Sequence, residues 1–281
     1  MLLAQSEFPI SVIIPTFNRV DRVSRAINSV LSQHFPVSEI ILVDDGSTDQ
    51  TASLIKHTFP QIRYFFQENA GVSAARNLGV RQSRQQWVAF LDDDDEWLPH
   101  KLSDQINALQ QSKTRLCHTE ERWIRRGVRV NQMKKHQKSG GWIFEKCLPL
   151  CAMSPSSILM DKTLFDEVGL FREDLPACED YDMWLKICAR YPVAYVEREC
   201  LIKYGGHDDQ LSSKHWGMDR FRIDALSNIL RENILQTNDV EKTENVLKKK
   251  IELYIKGARK RNKIDEVTRY EKLLLDLGLL A

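Results

Sequence analysis

Four consecutive aspartates, Asp92 to Asp95, follow the apolar run Trp87–Leu91 and are the strongest chemical signal in the sequence. Neighbouring carboxylates repel one another unless a cation or a hydrogen-bond donor compensates their charge. A divalent cation with oxygen ligands supplies that compensation, and such an ion typically also holds substrate phosphates. The other interpretation is a solvated acidic turn in front of the helix that Pro99 is expected to begin.

Polar residues also follow two earlier apolar runs. Thr16 and Asn18 come after the first, and Asp44 and Asp45 come after the second. Ligands bind outside the carboxyl ends of the strands in an open α/β sheet, so these side chains are candidates for one site. The sequence has no GxGxxG after the first run and no GxxxxGK followed by Ser or Thr, which argues against a dinucleotide-binding dehydrogenase and a P-loop NTPase. Phosphate must then be held by metal and side chains, and Arg76 is a candidate.

The elements that position these groups alternate between short β-branched runs and helical patterns over the first hundred or so residues. This alternation predicts four βα units and a mostly parallel sheet covered by helices. The predicted strands are Ile10–Pro15, Glu39–Val43, Ile62–Phe66 and Trp87–Leu91. Ser47 or Thr48 is expected to cap the helix after the second strand.

The pattern changes beyond Leu116. It predicts in turn a hairpin around Gly127, a strand, two helices and a largely helical C-terminus. These lie at Arg122–Val130, Ser156–Met160, Leu164–Val168, Glu179–Tyr191 and from about His215 onward. A break between Gly257 and Lys263 predicts that the C-terminus contains a helical hairpin.

Composition excludes several classes of protein. Hydrophobic residues make up 42% of the 281 residues, which excludes a disordered chain and permits a sizeable core. The net charge of +1 argues against nucleic-acid binding through bulk charge. No apolar run approaches the ~20 residues that cross a bilayer, and the N-terminus lacks a signal-peptide pattern. The six cysteines contain no CxxC pair, which favours reduced thiols and a cytoplasmic location.

Five segments resemble the ordered motifs of family 2 glycosyltransferases. They are Pro15–Asn18, Val43–Asp49, Glu68–Asn77, Phe90–Asp95 and Glu179–Leu185. Because all five occur in the family's order and at natural spacing, the resemblance is specific, and it covers about residues 8–210. It implies the GT-A fold, which is a Rossmann-like, mostly parallel sheet flanked by helices. It also implies a nucleotide-sugar donor and Mn²⁺ or Mg²⁺ bound at a DxD element.

The resemblance also implies a donor-binding set. The strand-end residues would hold the nucleoside, and Arg76 would face the donor's phosphates or the metal. The implied donor-binding residues are Pro15, Thr16, Asn18, Asp44, Asp45, Ser47, Arg76, Asn77, Asp92, Asp93 and Asp94.

The metal ligands implied by the resemblance are Asp94, Asp95 and His207. Asp92 and Asp94 match the two aspartates of DxD, and Asp95 matches a further aspartate common in the family. Which of Asp94 and Asp95 contacts the ion directly stays open. The family usually has a small residue where this chain has Asp93. Many GT-A enzymes place a C-terminal histidine on the metal, and His207 is similarly placed, although a surface turn is the alternative.

The pair Glu179-Asp180 matches the family's downstream acidic motif. An inverting transfer needs a base that takes the proton of the acceptor hydroxyl as its oxygen attacks the anomeric carbon. The resemblance implies that Asp180 is this base, with Glu179 beside it as an orienting residue or acceptor ligand. Without the upstream motifs, the same pair would be an acidic start of a helix.

Two other functions remain as alternatives. A haloacid-dehalogenase-type phosphatase also begins with an apolar strand and DxD, which would make Asp92 the nucleophile and Asp94 the acid/base. Glu96 departs from that pattern, and the upstream strands would stay unexplained. A catalytically inactive nucleotide-sugar-binding module is disfavoured because every polar position of the motifs is occupied.

The resemblance gives a domain layout and partners. We expect a GT-A catalytic domain over residues 1–212, with a donor half over about 8–116 and an acceptor-side half over about 117–212. Residues 213–281 form a helical extension. The expected donor is a UDP-sugar, because uridine is the base most common in the family. The expected acceptor is a saccharide or a lipid-linked sugar.

The second half offers two surfaces whose function stays open. Residues 122–138 carry seven lysine and arginine residues, with Trp123 and Trp142 nearby. This basic hairpin is either a platform for a sugar chain or an anionic acceptor, or an ordinary solvated hairpin. The apolar stripes of the C-terminal helices are expected to pack on the catalytic domain or on a second copy in a homodimer. Their small basic excess leaves peripheral contact with the inner face of the membrane as a weaker alternative.

Overall fold

The computed structural model describes residues 8–206 and 217–279. Its strands are β1 (Ile10–Thr16), β2 (Glu39–Asp44), β3 (Arg63–Phe66), β4 (Trp87–Phe90), β5 (Glu96–Trp97), β6 (Leu116–Arg125), β7 (Val128–Val130), β8 (Leu159–Asp161) and β9 (Ala194–Gly205). Its α-helices are α1 (Val23–Leu31), α2 (Thr51–Thr58), α3 (Val72–Gln82), α4 (Lys101–Ser112), α5 (Phe144–Cys147), α6 (Leu164–Val168), α7 (Glu179–Cys188), α8 (Asp219–Arg231), α9 (Thr237–Lys260) and α10 (Ile264–Asp276).

The first half forms the predicted parallel sheet, in the strand order β3-β2-β1-β4. Every residue of β1 is buried, because helices cover both faces of a parallel sheet. Gly79 lets α3 lie against β1, since a Cβ at this position would come within 2.4 Å of Ile13 Cγ2. β1 and β2 each run one residue further than predicted, so Thr16 and Asp44 are their last residues.

Two local predictions in this half are wrong. α2 begins at Thr51, and neither Ser47 nor Thr48 caps it; Asp49 Oδ1 instead accepts a 2.9 Å hydrogen bond from the Thr51 N–H. α4 begins at Lys101, two residues after Pro99, because the backbone first pairs as the short strand β5.

The second half continues the sheet with mixed strand directions. β8 runs antiparallel to both β4 and β6, while the long strands β6 and β9 run parallel to each other. The predicted hairpin is confirmed, with β7 pairing against the end of β6 around Gly127. The strand predicted at Ser156–Met160 begins later, because Pro155–Ser157 form a 3-10 turn and β8 starts at Leu159.

The C-terminal helices pack on the preceding part of the chain. Ile223 and Leu226 of α8 belong to the same buried cluster as Trp184 and Leu185 of α7. The apolar stripes were predicted to pack either on the catalytic domain or on a second copy of the chain. The apolar stripe of α8 packs within its own chain. The helical hairpin is present, although α9 continues through Gly257 and the turn falls at residues 261–263. The predicted domain boundary at residues 212 and 213 lies outside the described residues and stays a prediction.

Two further features follow from the described ranges. No helix there has the length and apolar content needed to cross a membrane. All six cysteines carry free thiols.

Candidate active site

A cavity of about 680 Å³ lies at the carboxyl ends of the parallel strands. It is bordered by the ends of β1 and β2, the segment after β4, the start of α3, the start of α7 and the end of β9. This placement brings together the motif segments that are far apart in sequence. The cavity is therefore the candidate active site.

Asp92 and Asp94 are the two more open members of the aspartate cluster, with side chains 23% and 19% exposed. Asp92 Oδ1 accepts a 2.7 Å hydrogen bond from Arg76, and Asp94 Oδ2 accepts one of 3.3 Å from Arg19. The second oxygen of Asp94 accepts no hydrogen bond from the described residues, whereas Asp92 also interacts with the Ser156 hydroxyl. Asp94 therefore keeps an oxygen available to a ligand.

Asp93 and Asp95 alternate with them and are more deeply buried. Asp93 Oδ2 accepts a 2.7 Å hydrogen bond from the Thr16 hydroxyl, and Asp95 Oδ2 accepts one of 2.6 Å from Ser156. Burial raises the pKa of Asp93 to about 7, and burial together with the neighbouring aspartates also raises the pKa of Asp95. The inner pair therefore ties the acidic segment to β1 and to the turn before β8.

Arg76 is the central cation of the site. Its guanidinium is almost fully buried and donates to Asp92 Oδ1 at 2.7 Å and to Glu179 Oε1 at 2.6 Å. Burial works against the charged form, but the two carboxylates outweigh it and raise the pKa of Arg76. Arg76 was expected to face phosphates or the metal, whereas the structure shows its two terminal nitrogens on protein carboxylates.

Asp180 lies at the start of α7 and borders the cavity. Its Oδ1 accepts a 2.7 Å hydrogen bond from the Tyr181 N–H, and its Oδ2 is 3.3 Å from the Cys151 thiol. Burial, followed by the charge of Asp180, raises the pKa of Cys151 well above its usual value, so this thiol stays a donor. Cys178, with φ of 64°, has a left-handed backbone conformation directly before α7.

Asp45 organises the opposite wall. Its Oδ1 accepts from Gln67 at 2.6 Å and from the Ala70 N–H at 2.9 Å, and its Oδ2 accepts from the Gly71 N–H at 2.9 Å. These bonds fix the loop in front of α3. Asn18 has a similar role, because its Oδ1 accepts from the Thr48 N–H at 2.8 Å.

Most of the predicted site residues border one cavity. These are Pro15, Thr16, Asn18, Asp45, Arg76, Asp92, Asp93, Asp94, Asp95, Glu179 and Asp180. Asp44, Ser47 and Asn77 do not border it. Asp44 is buried and accepts a hydrogen bond from the Tyr64 hydroxyl. The Ser47 hydroxyl accepts a hydrogen bond from the Asn18 N–H, and the Asn77 side chain forms hydrogen bonds with the backbone of Phe171. His207 lies outside the described residues.

Three residues of the site were missed by sequence reasoning. Arg19, Ser156 and Lys203 all contact the aspartate cluster, and Arg19 and Lys203 also border the cavity. Arg19 directly follows a quoted motif and could have been found there. Lys203 could not, because its position depends on β9 pairing with β6. Burial works against its charged form, but the surrounding carboxylates, Asp95 first, raise its pKa, so it stays cationic.

The comparisons with known proteins agree with this fold. The chain belongs to glycosyl transferase family 2, whose model matches residues 11–158. An uncharacterized glycosyltransferase of Rickettsia felis is 32% identical over 198 residues, which are 68% of this chain and 32% of that protein. The chain thus spans about a third of the length of this relative.

Two further proteins are informative. Escherichia coli WfgD, named as a UDP-Glc:alpha-D-GlcNAc-diphosphoundecaprenol beta-1,3-glucosyltransferase, is 28% identical over 183 residues, covering 64% of this chain and 70% of that protein. The crystal structure of S. aureus TarS 1–349 in complex with UDP-GlcNAc matches with a TM-score of 0.68 at 20% identity, covering 85% of this chain and 70% of that chain. This likeness confirms the predicted GT-A fold.

Proposed function

We propose that this chain is an inverting, metal-dependent glycosyltransferase that moves a sugar from a UDP-sugar to a hydroxyl group of a saccharide or lipid-linked acceptor. The observation that carries the proposal is one cavity that joins Asp45, the acidic segment Asp92–Asp95 and Asp180. UDP as the nucleotide is supported by the TarS complex with UDP-GlcNAc and by the UDP-Glc in the name of WfgD. The latter name also supports a lipid-linked acceptor.

Asp180 is the proposed base. Its carboxylate takes the proton of the acceptor hydroxyl while the acceptor oxygen forms a bond to the anomeric carbon. The bond from that carbon to the donor's diphosphate breaks on the opposite side, and the diphosphate leaves with the electron pair. The Tyr181 N–H and the Cys151 thiol hold the Asp180 carboxylate in one orientation for this step.

The acidic segment fits a divalent cation. Carboxylate oxygens are the ligands that Mn²⁺ and Mg²⁺ prefer, and Asp94 keeps one oxygen that accepts no hydrogen bond from the described residues. A bound ion supplies Lewis-acid stabilisation of the leaving diphosphate. We propose Asp94 as the direct ligand and Asp95 as its support, because the buried Asp95 carboxylate already accepts a 2.6 Å hydrogen bond from the Ser156 hydroxyl.

The basic hairpin is proposed to meet the acceptor. Its tip lies beside the end of β9, where the Arg126 N–H donates to the Gly205 oxygen at 3.3 Å, next to Tyr204 of the cavity wall. Several of its cations are already paired: Arg122 and Arg129 with Glu199, and Lys138 with Glu121. Arg125, Arg126, Lys134 and Lys135 contact no carboxylate of the described residues within 4.0 Å. These four charges are available to an anionic acceptor.

The test is a transfer assay with purified protein, Mn²⁺ and a panel of nucleotide sugars. The acceptors are monosaccharides and lipid-linked saccharides. We expect release of UDP from one donor and a product whose anomeric configuration is opposite to that of the donor. Binding of UDP without transfer from any donor would favour the inactive binding module. The phosphatase alternative predicts hydrolysis of a generic phosphomonoester that is lost in Asp92→Asn.

A further inference from the structure

Lys203 is a cation of the candidate site that no quoted motif contains. It lies near the end of β9 and borders the cavity, and its Nζ is 3.5 Å from Asp95 Oδ2. We propose that the Lys203 ammonium group binds the diphosphate of the nucleotide-sugar donor. This inference rests on the proposed function and adds to it a donor-binding residue.

The side chains around the cavity favour such a group. Seven carboxyl groups and three cationic side chains border the cavity among the described residues. They are Asp45, Asp92, Asp93, Asp94, Asp95, Glu179 and Asp180 against Arg19, Arg76 and Lys203. A diphosphate adds further negative charge to this acidic site. A divalent ion offsets part of this charge, and a protein cation near the acidic segment strengthens binding of the diphosphate further.

The other two cations, Arg76 and Arg19, form ion pairs with protein carboxylates. Arg76 places its terminal nitrogens at 2.7 Å from Asp92 and 2.6 Å from Glu179, and only 3% of its side chain is exposed. Arg19 lies between two aspartates, at 3.3 Å from Asp94 and 3.8 Å from Asp93, and its side chain is 15% exposed. Moving either cation to a ligand would leave a carboxylate of the site unpaired, which is costly where water is excluded.

Lys203 is held less tightly by its carboxylate partner than Arg76 is. Its 3.5 Å distance to Asp95 is longer than an ordinary N–H···O hydrogen bond, and Asp95 keeps its 2.6 Å bond from Ser156 when the lysine turns away. The side chain of Lys203 is 30% exposed, compared with 2% for Asp95. A flexible four-carbon stem with a compact ammonium group suits a cation that exchanges a carboxylate for a phosphate.

The β6–β9 ladder fixes the backbone position of Lys203. Lys203 pairs with Trp123 across the β6–β9 ladder, and the buried Glu121 lies two residues before Trp123 on β6. Glu121 is itself held by Lys138 at 3.1 Å and by the Ser154 hydroxyl at 2.6 Å. The strand therefore anchors the backbone of Lys203, while its charged end remains at the cavity.

The test compares UDP with uridine by calorimetry, each in EDTA and in Mn²⁺. The proteins are the wild type, Lys203→Met, Lys203→Arg and the control Lys249→Met, which removes an exposed lysine of α9. We expect Lys203→Met to weaken UDP binding about tenfold or more, as for a lost charge-assisted hydrogen bond, and to leave uridine binding unchanged. Lys203→Arg should keep most of the UDP affinity, and Lys249→Met all of it.

Equal losses for UDP and uridine in Lys203→Met, or no loss for either, would overturn the proposal. An unchanged UDP affinity together with tighter Mn²⁺ binding would also overturn it, because Lys203 would then only balance the aspartates. Thermal melting of each variant shows that the comparison is made on folded protein, and Lys203→Arg keeps the charge. A wild type that binds no UDP would instead contradict the proposed function, and the wild-type titration reveals that separately.

Discussion

Arg76 and Glu179 join the two halves of the candidate active site, with Arg76 Nη1 at 2.6 Å from Glu179 Oε1 although 103 positions separate them in sequence. The second terminal nitrogen of the same guanidinium lies 2.7 Å from Asp92 Oδ1. One buried cation thus fixes the start of α7, which carries Asp180, relative to the acidic segment. The geometry between the proposed base and the proposed metal site depends on this ion-pair bridge.

Arg76→Met is therefore expected to damage stability as well as function. It leaves Asp92 and Glu179 without their shared partner, and an uncompensated buried charge costs about 3–5 kcal/mol. The free energy of unfolding, measured by urea titration, should fall by this order. The control is Arg81→Met on the same helix. The Arg81 side chain is 55% exposed, and its ion pair with Glu173 is long, at 3.7 Å. If both variants lose the same small amount, Arg76 is not the bridge described here.

Asp94→Asn is expected to remove the effect of metal on donor binding. An amide is a weaker ligand than a carboxylate for a hard cation, so Mn²⁺ should no longer strengthen UDP binding by calorimetry. UDP binding in EDTA should change little. Asp166→Asn on the exposed face of α6 is the matched control. A wild-type affinity for UDP that is the same in EDTA and in Mn²⁺ would contradict metal dependence itself.

The basic hairpin is expected to affect the acceptor alone. Arg125 and Arg126 lie at its tip beside the end of β9, so reversing both to Glu should raise the acceptor KM several-fold for an anionic acceptor. The donor KM should stay unchanged. Lys248→Glu with Lys249→Glu on α9 makes the same change in net charge away from the cavity. Unchanged constants in the hairpin variant would make the hairpin ordinary solvated surface.

Lys101 gives the chain a pH-dependent stability term. It is fully buried, and burial lowers its pKa from 10.5 to about 7. Below pH 7 the lysine is charged in both states and folding bears the whole cost of burying that charge. Between pH 7 and 10.5 the unfolded state binds more protons, so the free energy of unfolding rises with pH. Between pH 7 and pH 9 the wild type should gain about 2 kcal/mol relative to Lys101→Met in urea titrations. Parallel pH dependence of both proteins would contradict this assignment.

Local sequence predicted the donor half of the fold well. The strands β1 to β4 and their helices follow from apolar runs and helical periodicity, and the side chains at the strand ends follow from the rule that ligands bind there. The errors at Ser47, Thr48 and Pro99 concern helix starts. Each start was decided by a contact outside the pattern: the Asp49 carboxylate at α2 and the pairing of β5 with β9 at α4.

The hydrogen-bond and ion-pair partners of several site residues could not be predicted, because tertiary packing brings them together. The motif containing Arg76 was recognised, but its two carboxylate partners were not predictable, because one of them arrives on α7. Lys203 was missed for the same reason, since β6 and β9 are distant in sequence and pair with a register shift. Asp44 and Asn77 belong to the quoted motifs, yet they bond to neighbouring protein groups away from the cavity.

The central claim, that Asp180 is the base of a sugar transfer in this cavity, is tested most directly by Asp180→Asn. UDP binding by calorimetry and transfer from the active UDP-sugar are measured on the same preparation. A base acts only in the transition state, so we predict that the variant keeps the wild-type affinity for UDP and loses transfer by at least about 10²-fold. Retained transfer, or an equal loss of UDP affinity and of transfer, would contradict the account.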